Sequence, residues 1–337
     1  MLVICFQNFN NFNLTERKKA MKNSLIMRFV AIVTIIALMF ASFSLAVGAV
    51  DGYETSDNTL LATTKYVSVT EYDFITHTER TYQMSYTDYE FSSISPGIEI
   101  LDDEQSTVSP NAIINDEDWS IVPNNFLSSP PYSAVCSLYA GGRSTAFIVG
   151  KRLAMTCAHC VYNASSQSWD TSAYLMPHAP GNTSDQTIIN NGTRVLKAII
   201  PTAYKNNPTV LNDCAILIVE DDIGTGNAIL PLNFTPPTVN MPVYVIGYPS
   251  EGLNEYVCYM HISTGKITAI VANAYRYNCD TVGGNSGSPV IWETTVNGVT
   301  KYNVIAIHRG GNTSYNVGHK IDQFLVQAVR ELNATYQ

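Results

Sequence analysis

The sequence predicts an all-β fold, and three observations carry that expectation. From Pro131 onward the chain consists of apolar runs of roughly five to eight residues, such as TAFIVG, RLAMTCA, CAILIVE, PVYVIGYP and YNVIAIH. Val, Ile, Thr and Tyr dominate these runs, and Gly, Asn and Pro separate them, the spacing expected of a barrel or sandwich. Val296–Gly298, between VIWETT and TKYNVIAIH, carries the Asn-Gly pair that closes a tight hairpin. The last segment departs from this pattern. Ile321, Phe324, Leu325, Ala328, Val329 and Leu332 recur at helical spacing and predict an amphipathic C-terminal helix over about 321–334, packed on the β structure.

The regions before this β domain read differently. Lys18, Lys19, Lys22 and Arg28 precede an apolar run from Phe29 to Val47 with a small-residue exit at Ala46, Gly48 and Ala49. That order describes a secretory signal peptide over residues 1–49, with Met21 as an alternative start. The run is also long enough to span a membrane as an uncleaved anchor. Residues 50–110 hold twelve Asp or Glu against Lys65 and Arg80, and they account for the formal net charge of −9. This segment reads as an acidic pro-segment removed from a secreted precursor, or else as a solvated linker. From Asn111 onward the chain is only mildly acidic, which argues against nucleic-acid binding. The peptide from 111 to 337 suits one domain or two small barrels side by side.

Beyond Cys5 in the leader there are six cysteines, at 136, 157, 160, 214, 258 and 279. An even number in an exported chain favours disulfides, with fifteen pairings open. Cys157 and Cys160 form a lone CxxC, and export without a second such pair argues against zinc. No metal or cofactor is expected.

Three short motifs carry chemistry. TCAHC places His159 just after an apolar run, NDCAILIV places Asp213 at the head of one, and GGNSGSPV presents Ser286. Gly and Ser mark turns more often than active sites. A serine hydroxyl, however, becomes a nucleophile when an imidazole takes its proton and a carboxylate fixes that imidazole's tautomer, and all three residue types stand at strand ends here. The order His…Asp…Ser excludes the α/β-hydrolase elbow, which runs Ser…Asp…His around G-x-S-x-G.

With its local contexts this order resembles the chymotrypsin-like serine peptidases, and within them the bacterial glutamyl endopeptidases. The resemblance covers roughly 111–331. It rests on Ala158–His159, N-D-x-A-I at Asn212–Ile216, V-I-G-Y-P at Val245–Pro249 and G-K-I at Gly265–Ile267. T-x-G-G-N-S-G-S-P-V at Thr281–Val290 and I-H-x-G-G at Ile307–Gly311 complete it. It implies two six-stranded antiparallel β-barrels, the first over about 111–235 and the second over about 236–320, with the helix after them. It implies Ser286 as nucleophile, His159 as general base and acid, and Asp213 as orienting carboxylate. The backbone N–H groups of Gly284 and Ser286 would form the oxyanion hole, for which glycine permits the unusual φ. Thr281 and His308 would line the S1 pocket and meet a substrate glutamate.

The resemblance further implies a secreted monomer that cuts protein or peptide substrates after Glu, free of the membrane once its leader is removed. It implies maturation near Asn111, after a first cut at Glu104. Arg309 stands where the family commonly has Trp, and its charge is expected to favour acidic residues near the scissile bond. Animal chymotrypsin-like enzymes pair the cysteine after the catalytic histidine with one at the position that here holds Ser144, so Cys136 is the candidate partner of Cys160; Cys258 and Cys279, bracketing a pair of strands, are expected to join. Cys157 and Cys214 would bridge or stay free. A peptidase of the same fold with another P1 preference, and an inactive homologue serving as an adhesion or binding module, are the competing readings.

Overall fold

The computed structural model describes residues 62–89, 113–114, 119–250 and 258–337. The expected signal peptide, the cut at Glu104 and the start near Asn111 lie outside the described residues.

Two closed six-stranded antiparallel barrels make up the architecture. The first ring is built from β4 (Val135–Tyr139), β5 (Arg143–Gly150), β6 (Leu153–Thr156), β9 (Tyr174–Pro177), β10 (Thr193–Pro201) and β11 (Ala215–Val219). It closes because β10 pairs with β9 near its start and with β11 further along. β5 and β11 are buried almost end to end. Their near-continuous apolar sequences follow, since both faces of these strands are covered.

The second ring contains β12 (Pro242–Gly247), β13 (His261–Val271), β14 (Ala274–Tyr277), β15 (Pro289–Val296), β16 (Val299–Gly311) and β17 (Asn316–Lys320). Pairing of β12 with β13 closes it. Its interior is filled by Val243, Val245, Ile267, Tyr275, Tyr277, Val290 and Ile305. The Asn-Gly hairpin forms between β15 and β16, where Asn297 and Gly298 take φ of 52° and 76°. Both left-handed angles suit a type I′ turn. The C-terminal helix, here α3 (Gln323–Thr335), is capped by the Asp322 side chain, which accepts from Leu325 N at 2.9 Å. Its Phe324, Leu325, Ala328 and Val329 enter the large core that also fills the first barrel. Two shorter helices, α1 (Asp185–Asn191) and α2 (Thr202–Asn206), flank β10.

The short β7 (Tyr162–Asn163) and β8 (Ser168–Trp169) pair only with each other, and three further strands stand outside the expected arrangement. β3 (Trp119–Ile121) falls in the sequence range expected for the first barrel but pairs with β13 of the second. Within the acidic segment, β1 (Ala62–Asp73) and β2 (Thr78–Tyr89) form a long hairpin, and β1 adds to the edge of β10.

The expected disulfides do not form: all six described cysteines are free thiols. Cys279 lies in the second core with its Sγ toward the Val243 carbonyl at 3.7 Å and is not joined to Cys258. Cys136 is fully buried in the first core, its Sγ directed to the Ala134 carbonyl, and is not joined to Cys160. Burial pushes the Cys136 and Cys214 thiols well up, which keeps them protonated and inert.

Candidate active site

Strand register explains how distant residues meet. β6 and β11 are antiparallel neighbours with Thr156 opposite Ala215. His159 follows the end of β6 on a single 3₁₀ turn, and Asp213 precedes the start of β11, so both emerge at the same end of the first barrel. His159 Nδ1 lies 2.7 Å from Asp213 Oδ2, and the His159 backbone N donates to Oδ1 at 3.0 Å. This double attachment fixes the ring's orientation and its Nδ1–H tautomer. Asp213 is completely buried. Burial alone would raise its carboxyl, yet His159 and the Arg309 guanidinium hold it below its usual value. Burial pulls His159 the other way, but the Asp213 charge lifts the imidazole well above its ordinary value.

Ser286 reaches the same region from the second barrel, in the turn just before β15. The turn is held by Asn285 N donating to Val282 O and Ser288 N to Asn285 O. Gly284 has φ of +98°, and a Cβ there would sit 2.5 Å from Ser250 N and 2.6 Å from Tyr248 O. Gly287 has φ of +86°, with a would-be Cβ 2.1 Å from both Thr145 O and Thr156 Oγ1. Glycine at both positions is therefore a steric requirement. Neither the Gly284 nor the Ser286 N–H has a hydrogen-bond acceptor among the described residues. The Ser286 hydroxyl donates to the Arg309 carbonyl at 3.3 Å rather than to His159.

The turn is tied to the first barrel by a residue that sequence reasoning missed. Thr145 on β5 donates its N–H to Ser286 O (2.9 Å) and its hydroxyl to Gly284 O (2.9 Å), while that hydroxyl accepts from Tyr248 N (2.8 Å). Nothing in the local sequence distinguishes this threonine from any other strand residue.

His308 lies on β16, 1% exposed, with Tyr277 OH 2.7 Å from its Nδ1. Burial, aided by the charges of His159 and Arg309, pushes its pKa down to about 3, so the ring is neutral at working pH. A Tyr277 hydroxyl donating to Nδ1 leaves Nε2–H as the ring's remaining donor. Thr281, also buried, donates to Asn316 Oδ1 at 2.8 Å, and Asn316 in turn donates to the Cys279 carbonyl.

Arg309 departs from its expected role. Its Nε donates to Asp213 Oδ2 at 3.2 Å, so its charge is directed at the buried carboxylate shared with His159. Cys157 Sγ sits within 4.8 Å of ligand atoms of both His159 and Asp213, but donates to the His308 carbonyl at 3.0 Å.

A model of the trypsin-like peptidase domain matches residues 144–296. A glutamyl endopeptidase of Staphylococcus epidermidis is 33% identical over 218 residues, covering 60% of this chain and 70% of that protein. One from Bacillus licheniformis is 26% identical over 200 residues, 57% of this chain and 60% of that protein. Among solved structures, a Glu endopeptidase in complex with MPD superposes with a TM-score of 0.56 at 22% identity, over 66% of this chain and all of that one. The barrels, the Ser286 turn joined through Arg309 to the exposed His159 and its buried Asp213 partner, and these relatives lead to one conclusion: the chain is a serine endopeptidase belonging to the glutamyl endopeptidase family of chymotrypsin-like peptidases.

Proposed function

We propose that the protein is a secreted monomeric endopeptidase that hydrolyses peptide bonds after glutamate, with Ser286, His159 and Asp213 as its triad. The observation that carries this reading is the buried Asp213 carboxylate, which holds His159 and is joined through Arg309 to the Ser286 turn, whose Gly284 and Ser286 N–H groups have no acceptor among the described residues. In this mechanism the Ser286 hydroxyl swings from the Arg309 carbonyl toward His159 Nε2, which takes its proton as Oγ attacks the substrate carbonyl. The two free N–H groups receive the developing oxyanion. Protonated His159 then gives its proton to the leaving amine, and an acyl-enzyme remains on Ser286. Water, deprotonated by the same imidazole, releases the acid.

For substrate choice, His308 and Thr281 face the glutamate carboxylate. The neutral His308 ring, with Tyr277 on Nδ1, supplies an N–H to an anion without carrying a permanent buried charge, whose desolvation would be costly. Kinetics on peptides with Glu, Asp, Phe or Arg at P1 test the reading. Cleavage only after Phe or Arg would favour the same fold with another pocket, and no cleavage by mature protein a binding module. His308→Ala is expected to lower the Glu/Phe ratio of kcat/KM by roughly 30-fold, the worth of one hydrogen bond to a charged group at about 2 kcal/mol. An unchanged ratio would remove His308 from the pocket.

Arg309 acts on the same triad through Asp213. Its positive charge opposes protonation of the neighbouring imidazole, so removing it makes the imidazolium more favourable. Arg309→Met is therefore expected to move the acid limb of the kcat/KM profile upward, by roughly one pH unit for a partly screened charge. Arg309→Lys should recover part of the shift. A limb that stays in place in Arg309→Met would mean that the ion pair only holds the strand.

A further inference from the structure

The β1–β2 hairpin is bound to the catalytic domain on three sides. Along its first strand, Val69 to Asp73 pair with Pro201 to Lys197 of β10, and Phe74 N continues the ladder to Leu196 O at 2.9 Å. This covers a length of strand edge that would otherwise present unpaired N–H and C=O groups. The side chains match the backbone. Val69, Thr70, Glu71, Tyr72 and Phe74 are buried, although they lie in the most acidic part of the sequence.

Glu71 takes two bonds from Arg80 on its own hairpin and one at 3.0 Å from Lys197 of β10. Beyond the strand edge, Tyr72 stacks on Trp169 at 4.8 Å with planes 4° apart, and Glu79 accepts from Trp169 Nε1 and Lys205 Nζ. On the third side, two glutamines of α3 clasp the end of β2. Gln327 exchanges a pair of hydrogen bonds with the Thr87 backbone (2.9 and 2.7 Å), and Gln323 does the same with Tyr89 (3.0 and 3.1 Å). None of the partners named here belongs to the proposed triad.

We infer that residues 62–89 remain attached to the peptidase after the chain is cut between 90 and 111, as a second, noncovalently held polypeptide that completes the edge of the first barrel. A linker or a discarded pro-segment would have little reason to bury Phe74 completely or to satisfy a buried Glu71 with a lysine of the catalytic domain. The inference rests on the maturation reading, namely a cut near Asn111, and the two can be tested apart.

For the attachment itself, Ser286→Ala protein, which cannot process itself, is secreted with residues 99–104 replaced by the recognition sequence of a site-specific protease. It is cut to completion and examined by size exclusion and native mass spectrometry. The expected result is one species containing both pieces in equal number, separable only in denaturant. Adding Gln327→Ala and Val69→Asp should shift most of the hairpin into a free fraction. Release of the hairpin from otherwise unaltered protein would overturn the inference, whether the remainder stays folded or aggregates. For the maturation reading, intact mass and N-terminal sequencing of the unmodified secreted protein suffice. A single uncut chain would overturn that reading while leaving the attachment to be decided by the engineered cut.

Discussion

Ser286→Ala should lower kcat/KM on a Glu-containing peptide by about 10⁶-fold and leave the fold intact, the loss seen when the nucleophile is removed from a comparable triad. Among the described residues the hydroxyl makes one hydrogen bond, a 3.3 Å contact to the Arg309 carbonyl, so its removal costs the native state little. The turn itself is held by backbone bonds and by Thr145, none of which uses the Ser286 side chain. Thermal unfolding of the variant should therefore stay within about 0.5 kcal/mol of the parent, the usual span for substitutions away from packed features. Residual hydrolysis within a hundredfold of the parent, in protein free of contaminating peptidase, would make another group the nucleophile. A collapse in stability would instead mean that the turn depends on this hydroxyl in a way its contacts do not indicate.

The motif residues were legible because each chemical requirement writes itself into a short local string. A left-handed turn demands Gly284 and Gly287, and strand ends demand an apolar run beside His159 and Asp213. Pairing across the fold leaves no such local trace. Thr145 is separated from Gly284 by 139 positions and Arg309 from Asp213 by 96, so neither contact could be read before the barrels were closed. Arg309 illustrates the cost. Its charge was legible, but whether that charge faces substrate or Asp213 depends on how β16 runs past the first barrel.

The hairpin was hidden for a different reason. Its overall acidity suggested solvation, while the alternation in KYVSVTEYDF was strand-like. What reconciles the two is Lys197 and Lys205, which meet Glu71 and Glu79 from the catalytic domain. The cysteines misled because their even count described export chemistry, whereas several of the sulfurs are packed as small apolar groups in the two cores.

The second large effect concerns Asp213. Asp213→Asn should reduce kcat/KM by about 10⁴-fold, through the tautomer of His159 rather than through loss of the ring's position. The carboxylate accepts three bonds: His159 N on Oδ1 at 3.0 Å, and His159 Nδ1 and Arg309 Nε on Oδ2 at 2.7 and 3.2 Å. An asparagine can keep its carbonyl toward only one side. If the carbonyl serves the backbone N–H, the amide NH₂ faces Nδ1 and forces that nitrogen to accept, which places the ring proton on Nε2. The imidazole then cannot take the Ser286 proton. The opposite orientation directs the NH₂ at the His159 N–H and leaves donors opposed in a completely buried site, at a cost of about 1–3 kcal/mol. In either case Arg309 loses the negative charge it was paired with, so the unfolding temperature should fall in this variant while it holds in Ser286→Ala. Nitrogen-15 NMR of the histidine ring reads the outcome directly: protonation at Nε2 in the variant and at Nδ1 in the parent. A drop of less than tenfold, with the proton still on Nδ1, would mean that His159 is oriented by something other than this carboxylate.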